Sequence, residues 1–332
     1  MAKATTLNVT GNREQLLDWM SLVEPEMKPV FTRAKKKKAT STFPEWQVDS
    51  MEEPSFDGVD EGTDVTSFDN KRSNSARLGN YIQHFRRTYQ VSNIQELVDT
   101  AGVKSEFAYG AAKAVRELGR DVESAICSSN DRQQQAGAGT PYKMRGFFRW
   151  LGYNGTAGNN YPSDIPADQQ LGASGNYADV NGNALTEAEL NTVMQNLYTQ
   201  NGAPQGNYMF VGNPQIRADV TEFGRSTSEM YQRNEDATSK KMTSTITLYE
   251  GDYGVVEVVP ASVFVDRTSG SSTIEGRSAL LLDTGSYCLF TLQADNRTEL
   301  ENQGGGRRGF CEMICSLGVE SIKSHGFFYD GA

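Results

Sequence analysis

The stretch that most constrains this chain is residues 103–129, the only segment whose apolar spacing commits it to one long helix. Phe107, Ala111, Ala114, Val115, Leu118, Val122, Ala125 and Ile126 recur at three- and four-residue steps, with Lys113, Arg116, Glu117, Arg120, Asp121 and Glu123 between them. One stripe is apolar and the opposite face is wet. At about 1.5 Å per residue such a helix is a rod of roughly 40 Å, the width of a small domain, so other elements must pack along it. A shorter helix leads into this spine: Ser92 and Gln95 have capping-box spacing, Ile94, Leu97, Val98 and Ala101 offer an apolar face, and Gly102 stops the turn.

The remaining chain has room for sizeable cores, since 37% of its 332 residues are hydrophobic and 10% aromatic. Its net charge of −10 opposes wholesale contact with nucleic-acid phosphates, although local basic spots remain. No apolar run reaches the ~18 residues of a membrane span, and the first residues lack the pattern of a secretory signal, so no membrane partner is expected. Cys127, Cys288, Cys311 and Cys315 are scattered among apolar neighbours and read as buried, reduced thiols; no nearby His completes a zinc set around Cys311 and Cys315.

Residues 1–12 form a polar arm, and Leu16, Leu17, Met20 and Val23 then share one face of a short helix that ends before Pro25. Arg33 and Lys35, Lys36, Lys37 and Lys38 follow. Such a run is ordinarily a solvated loop, and its functional reading is a clamp on an acidic neighbour or on packaged nucleic acid. Residues 45–69 then carry nine acids and no basic residue. Their spread over Gly- and Ser-containing sequence does not suit a metal loop. Two strand-like segments flank them, residues 41–51 with Phe43, Trp46 and Val48, and residues 80–91 with Tyr81, Ile82, Phe85 and Tyr89. An isolated two-stranded ribbon is marginal in water, so this one needs a partner to lean on.

Residues 133–179 read mostly as loop with an apolar island at Phe147, Phe148, Trp150 and Leu151. Thr186 and Glu189 form a second capping box at the start of a helix, which opens a compact α+β region. Its strands are expected at residues 208–211, 246–249, 255–259, 279–282 and 287–292; residues 216–233 are mixed helix or loop, residues 266–277 a polar hairpin tip and residues 297–309 a polar turn. The chain closes on a clean alternation of Cys311, Met313, Cys315, Leu317 and Val319, followed by Phe327, Phe328 and Tyr329.

The catalytic inventory is poor. Asp179, Asn181 and Asn183 start like a calcium loop, but Ala184 and Leu190 stand where the pattern needs Gly and Glu. Gly304, Gly305 and Gly306 with Arg307 and Arg308 lack the strand, helix and Lys of a phosphate loop. His84 and His325 are the only histidines, which leaves no nucleophile–His–acid set. No catalytic, metal or cofactor-binding residue is assigned, no cofactor is expected, and the chain does not read as an enzyme.

The order of these parts, together with VSNIQELVDTAGVKSEFAYGAAKAVRELGRDVESAICSS at residues 91–129, VVEVVP at residues 255–260 and residues 23–29, 42–46 and 310–326, resembles the tailed-phage major capsid (major head) proteins of the Hong Kong 97 type over residues 16–328. The resemblance implies an α+β, Hong Kong 97-like fold: an N-terminal arm at 1–40, an extended β-ribbon loop at 41–91, a peripheral domain with the spine helix at 92–140, an axial domain at 141–294 and a return to the peripheral domain at 295–332. It implies self-assembly as hexamers and pentamers into an icosahedral shell that encloses double-stranded DNA without reading its sequence, assembled in the host bacterial cytoplasm and carried in the virion. Separate scaffold, portal and decoration proteins are further implied partners; with no long charged helix before Arg13, any scaffold is expected to be a separate or removed piece. Expected contacts between subunits are Leu16, Trp19 and Met20 on the arm, Trp46 and Phe68 on the ribbon, and Arg86 and Arg87 opposite its acidic tract. The competing expectations are a cytoplasmic carboxylate-using enzyme and a phage tail or oligomeric binding protein.

Overall fold

The computed structural model describes residues 28–52, 54–100, 102–155, 158–171, 175–201, 206–226, 247–261 and 278–330. The arm helix, with Leu16, Trp19 and Met20, and the hairpin tip at 266–277 lie outside the described residues. In chain order the elements begin with α1 (Pro29–Arg33), β1 (Lys35–Lys38), β2 (Glu45–Val48), β3 (Ala76–Gly79), β4 (Gln83–Val91), α2 (Asn93–Leu97), α3 (Glu106–Ile126) and α4 (Phe147–Trp150). They continue with β5 (Tyr177–Asp179), α5 (Glu187–Asn201), β6 (Gly206–Gly212), α6 (Pro214–Ser226), β7 (Leu248–Gly251) and β8 (Gly254–Pro260). The chain finishes with β9 (Ala279–Asp283), β10 (Tyr287–Leu300), β11 (Arg307–Val319) and β12 (Gly326–Tyr329).

The spine is α3. Ser105 caps it by accepting from the Ala108 N–H at 3.3 Å, and Phe107, Ala111, Ala114, Leu118, Val122 and Ile126 are buried as the spacing requires. At its other end the Ser128 hydroxyl donates to the Ala125 carbonyl, so the helix stops three residues before the expected limit. Its buried stripe packs on β4 and β11 of a four-stranded sheet ordered β1-β10-β11-β4. The alternation in β11 holds, with Cys311, Met313, Cys315, Leu317 and Val319 all buried.

A six-stranded sheet, ordered β5-β12-β9-β6-β8-β7, divides the interior. Met209, Val211, Leu280, Leu282 and Phe327 face the core shared with α3 and α4, whereas Tyr208, Phe210, Ala279, Leu281 and Phe328 face the core beneath α5 and α6. That double burial is why these strands read as apolar on both sides in sequence. The Thr186–Glu189 capping box is complete: the Thr186 N–H donates to Glu189 Oε2 at 2.8 Å and the Glu189 N–H to Thr186 Oγ1 at 3.3 Å.

Four expectations change. The lysine run is an exposed strand, β1, paired in parallel with β10, because the main chain gains a ladder there while the ammonium groups stay wet. The polar turn is shorter than expected: β10 runs on to Leu300 and β11 starts at Arg307, so the hairpin turns within six residues. Gly306 makes this closure possible, since at φ +126° a Cβ there would lie 2.1 Å from the Val91 carbonyl oxygen. The α2 face is not covered, with Ile94 and Leu97 at 76% and 87% exposure, because α3 already occupies the sheet. Finally, the ribbon partner of β2 is β3, not residues 80–91, which instead form β4 along β11.

Candidate assembly surfaces

The ribbon has a fixed root and a free length. At the root, Trp46 is half-buried with its ring 5.6 Å from Trp150 and 5.8 Å from Phe290, so its indole anchors β2 to the body. Beyond the root, residues 54–70 are exposed without interruption, and Met51 and Phe56 at 98% and Phe68 at 88% have no apolar cover among the described residues. Lys71 crosses between the two sides of the ribbon, 2.7 Å from Glu52 and 3.6 Å from Asp69.

Where the ribbon re-enters the body, a buried polar hub holds it. The Asn80 side-chain amide donates to the carbonyls of Arg145 and Leu317, and its oxygen accepts from the Arg145 N–H at 2.8 Å. The Arg145 guanidinium, 1% exposed, grips Asp164 through both terminal nitrogens at 2.9 and 2.7 Å, bonds Asp131 through Nε at 2.7 Å and stacks over Trp150. Burial pushes the Asp164 carboxyl up, but the Arg145 bonds and charge, helped by Arg132, outweigh it and hold the group below its ordinary range. Gly146 makes the approach possible, since a Cβ there would meet the Ser128 carbonyl oxygen at 2.1 Å. The sequence signal for this hub is a pair of arginines, Arg145 and Arg149, set into an apolar island at 144–151, and it went unread.

A second unread residue is Glu123. It lies on the buried face of α3, where Val30 and Phe31, in the first turn of α1, donate their backbone N–H groups to its two oxygens at 2.9 and 2.6 Å. Burial raises this carboxyl to about 7, the two N–H donors acting against the shift. The segment it holds is a strap: Arg33 forms a bidentate pair with Glu257 of β8, the Tyr287 hydroxyl donates to the Val30 carbonyl, Lys37 pairs with Glu320, and β1 joins β10.

Arg86 and Arg87 meet acids of their own chain other than those of the ribbon. Arg86 lies over the Phe310 ring and 3.7 Å from Glu312, and Arg87 grips Asp121 of α3 at 2.5 and 2.6 Å. His84 completes the Glu312 cluster at 3.0 Å, whereas His325 is wholly buried between Phe147 and Tyr287, its Nδ1 accepting from the Asp283 N–H and its pKa lowered by burial to about 4. All four cysteines are free and buried. Among the described residues no three His, Cys, Asp or Glu side chains converge as a metal site, and no helix is long and apolar enough to cross a membrane.

The ribbon is thus anchored at its root and bare along its outer length, and comparison with known proteins supplies the family. The model of the SU10 major capsid protein family matches residues 3–331. The chain belongs to the SU10 major capsid protein family. It is thus a shell-forming structural protein of a phage virion.

Solved structures agree on the fold of this capsid protein. The capsid of the native GTA particle is similar at 12% identity and a TM-score of 0.60, with 98% of each chain covered. The structure titled Gordonia phage Cozz is similar at 12% identity and TM-score 0.60, covering 99% of this chain and 96% of that one. The SrpI encapsulin complex from Synechococcus elongatus is similar at 11% identity and TM-score 0.52, covering 99% and 95%. No curated protein sequence matches. The α+β architecture is the Hong Kong 97-like capsid fold.

Proposed function

We propose that this capsid protein assembles as hexamers and pentamers into an icosahedral head shell around double-stranded DNA, that assembly takes place in the host bacterial cytoplasm, and that it has no enzymatic role. The observation that carries the reading is the uninterrupted exposure of residues 54–70 with Phe56, Val59, Val65 and Phe68 outermost. Burying a side chain of that size stabilises by about 2 kcal/mol, so a neighbour's surface under the ribbon supplies stabilisation on the order of 8 kcal/mol per subunit before association costs. Phe68, with Leu16, Trp19 and Met20 of the arm, makes those contacts directly. Trp46, Arg86 and Arg87 join them in this reading, although each also has a partner in its own chain.

In this reading residues 1–40 are the arm and 41–91 the ribbon loop. Residues 92–140 and 295–332 make the peripheral domain, and 141–294 the axial domain around the hexamer and pentamer centres. The net charge of −10 keeps packaged DNA from adhering to the wall. Scaffold, portal and decoration proteins are the other partners. Electron microscopy of the purified chain tests the proposal, with closed shells or rings of five and six expected. A chain that stays a monomer, or stacks into tubes, refutes it.

A further inference from the structure

The strand β1 presents two unused features at one place. It is an end strand of the four-stranded sheet, so its outer row of backbone N–H and C=O groups has no partner strand among the described residues. Along it stand four exposed lysines. Lys35 and Lys37 are engaged within the chain, by the Gly285 carbonyl and by Glu320. Lys36 and Lys38, two residues apart and therefore on the same side of the strand, have no carboxylate within ion-pair distance among the described residues; Lys36 lies over the Phe31 ring.

Four like charges prevent this edge from pairing with the same edge of a second copy, yet they suit an extended acidic segment. The chain carries one. On the ribbon, Asp49, Glu52, Asp57, Asp60, Glu61, Asp64 and Asp69 are exposed, and none of them pairs with Lys35, Lys36, Lys37 or Lys38 of its own chain. Only Glu52 and Asp69 have a basic partner there, Lys71. We propose that the acidic ribbon of one subunit docks along the lysine edge strand of the next, Asp57, Asp60, Glu61 and Asp64 facing Lys36 and Lys38. A contact of this kind is heterologous, ribbon of one copy to strap of the next, and such contacts close into rings where the rotation between copies closes. Extended chain laid on an open strand edge adds main-chain hydrogen bonds, while the charges fix direction and suppress wrong partners.

The inference rests on the shell reading, and the test separates the two. Wild-type chain is expressed beside three variants: Lys36→Glu/Lys38→Glu, Asp57→Lys/Asp60→Lys, and the combination of all four. Assembly is read by electron microscopy, and far-ultraviolet circular dichroism reports folding. Both double variants are expected to fold and to lose shells, and the fourfold variant to recover them. Failure of the fourfold variant to assemble while it folds overturns the pairing. Normal shells from the Lys36→Glu/Lys38→Glu variant also overturn it, because assembly would then not depend on the lysine edge. Absence of shells from wild-type chain strikes instead at the shell reading itself.

Discussion

At the scale of single residues, two buried ionisable groups give this protein opposed responses to acid. Glu123 is raised from its ordinary value to about 7, so the stability linked to its protonation is fully present below the unfolded carboxyl value and is lost as pH rises through 7. His325 is lowered to about 4, so its contribution is present above the ordinary imidazole value and is lost as pH falls through 4. Glu123→Gln removes the first response and leaves the second. Thermal melts of the dissociated chain between pH 5 and pH 8 are expected to show wild type losing stability relative to the variant as pH rises, by up to about 3 kcal/mol at ~1.4 kcal/mol per pH unit. A constant difference across that range contradicts the assignment. Arg145→Met is expected to be far more damaging, by about 3–5 kcal/mol in chemical denaturation, because it removes the one buried guanidinium that joins Asp164 to Asp131 and leaves them only the more exposed Arg132 and Arg149.

Among elements, the exposed ion pairs and caps behave more mildly. Arg87→Ala removes a bidentate but half-exposed pair with Asp121, which is worth less than about 1 kcal/mol. A melt shifted no further than that, combined with a loss of shells, marks Arg87 as a contact with a neighbouring subunit; intact shells confine it to the β4–α3 border. Ser105→Ala withdraws the cap of α3 and is expected to cost about 1 kcal/mol in the same melts.

These elements also show what was legible in the sequence. The spine, α5 and β11 were readable because each buries one face with its own period, and local spacing then carries the whole message. β4 was assigned to the ribbon because alternation reports a buried face without naming the strand that pairs with it; its partner β11 lies more than 200 residues away. β1 was hidden for a related reason, since four lysines have no strand signature and only the edge of β10 makes them one. Phe68 could be named from sequence as an aromatic among acids, and the structure leaves it exposed, whereas Asn80, Arg145 and Glu123 were missed because their value lies in partners brought together by the fold.

For the whole molecule, the ribbon and the body are expected to be energetically separate. Deleting residues 54–70 and joining the ends with a short Gly-Ser turn removes only exposed chain. The variant is expected to melt like wild type and to form no shells; a large fall in melting temperature would tie the ribbon to the core of its own subunit. Under the proposed shell reading, ribbon and core divide two tasks within one polypeptide, holding neighbours and holding itself.

The parallel pairing of β1 with β10 brings Lys35 against Cys288. Strands so distant in sequence meet late, after a costly loop closure. During synthesis, the ribosome releases the ribbon early, but the edge it would dock against does not exist until the chain has grown past residue 300. A half-made subunit therefore exposes a plug without a socket, and polymerisation waits for translation to finish.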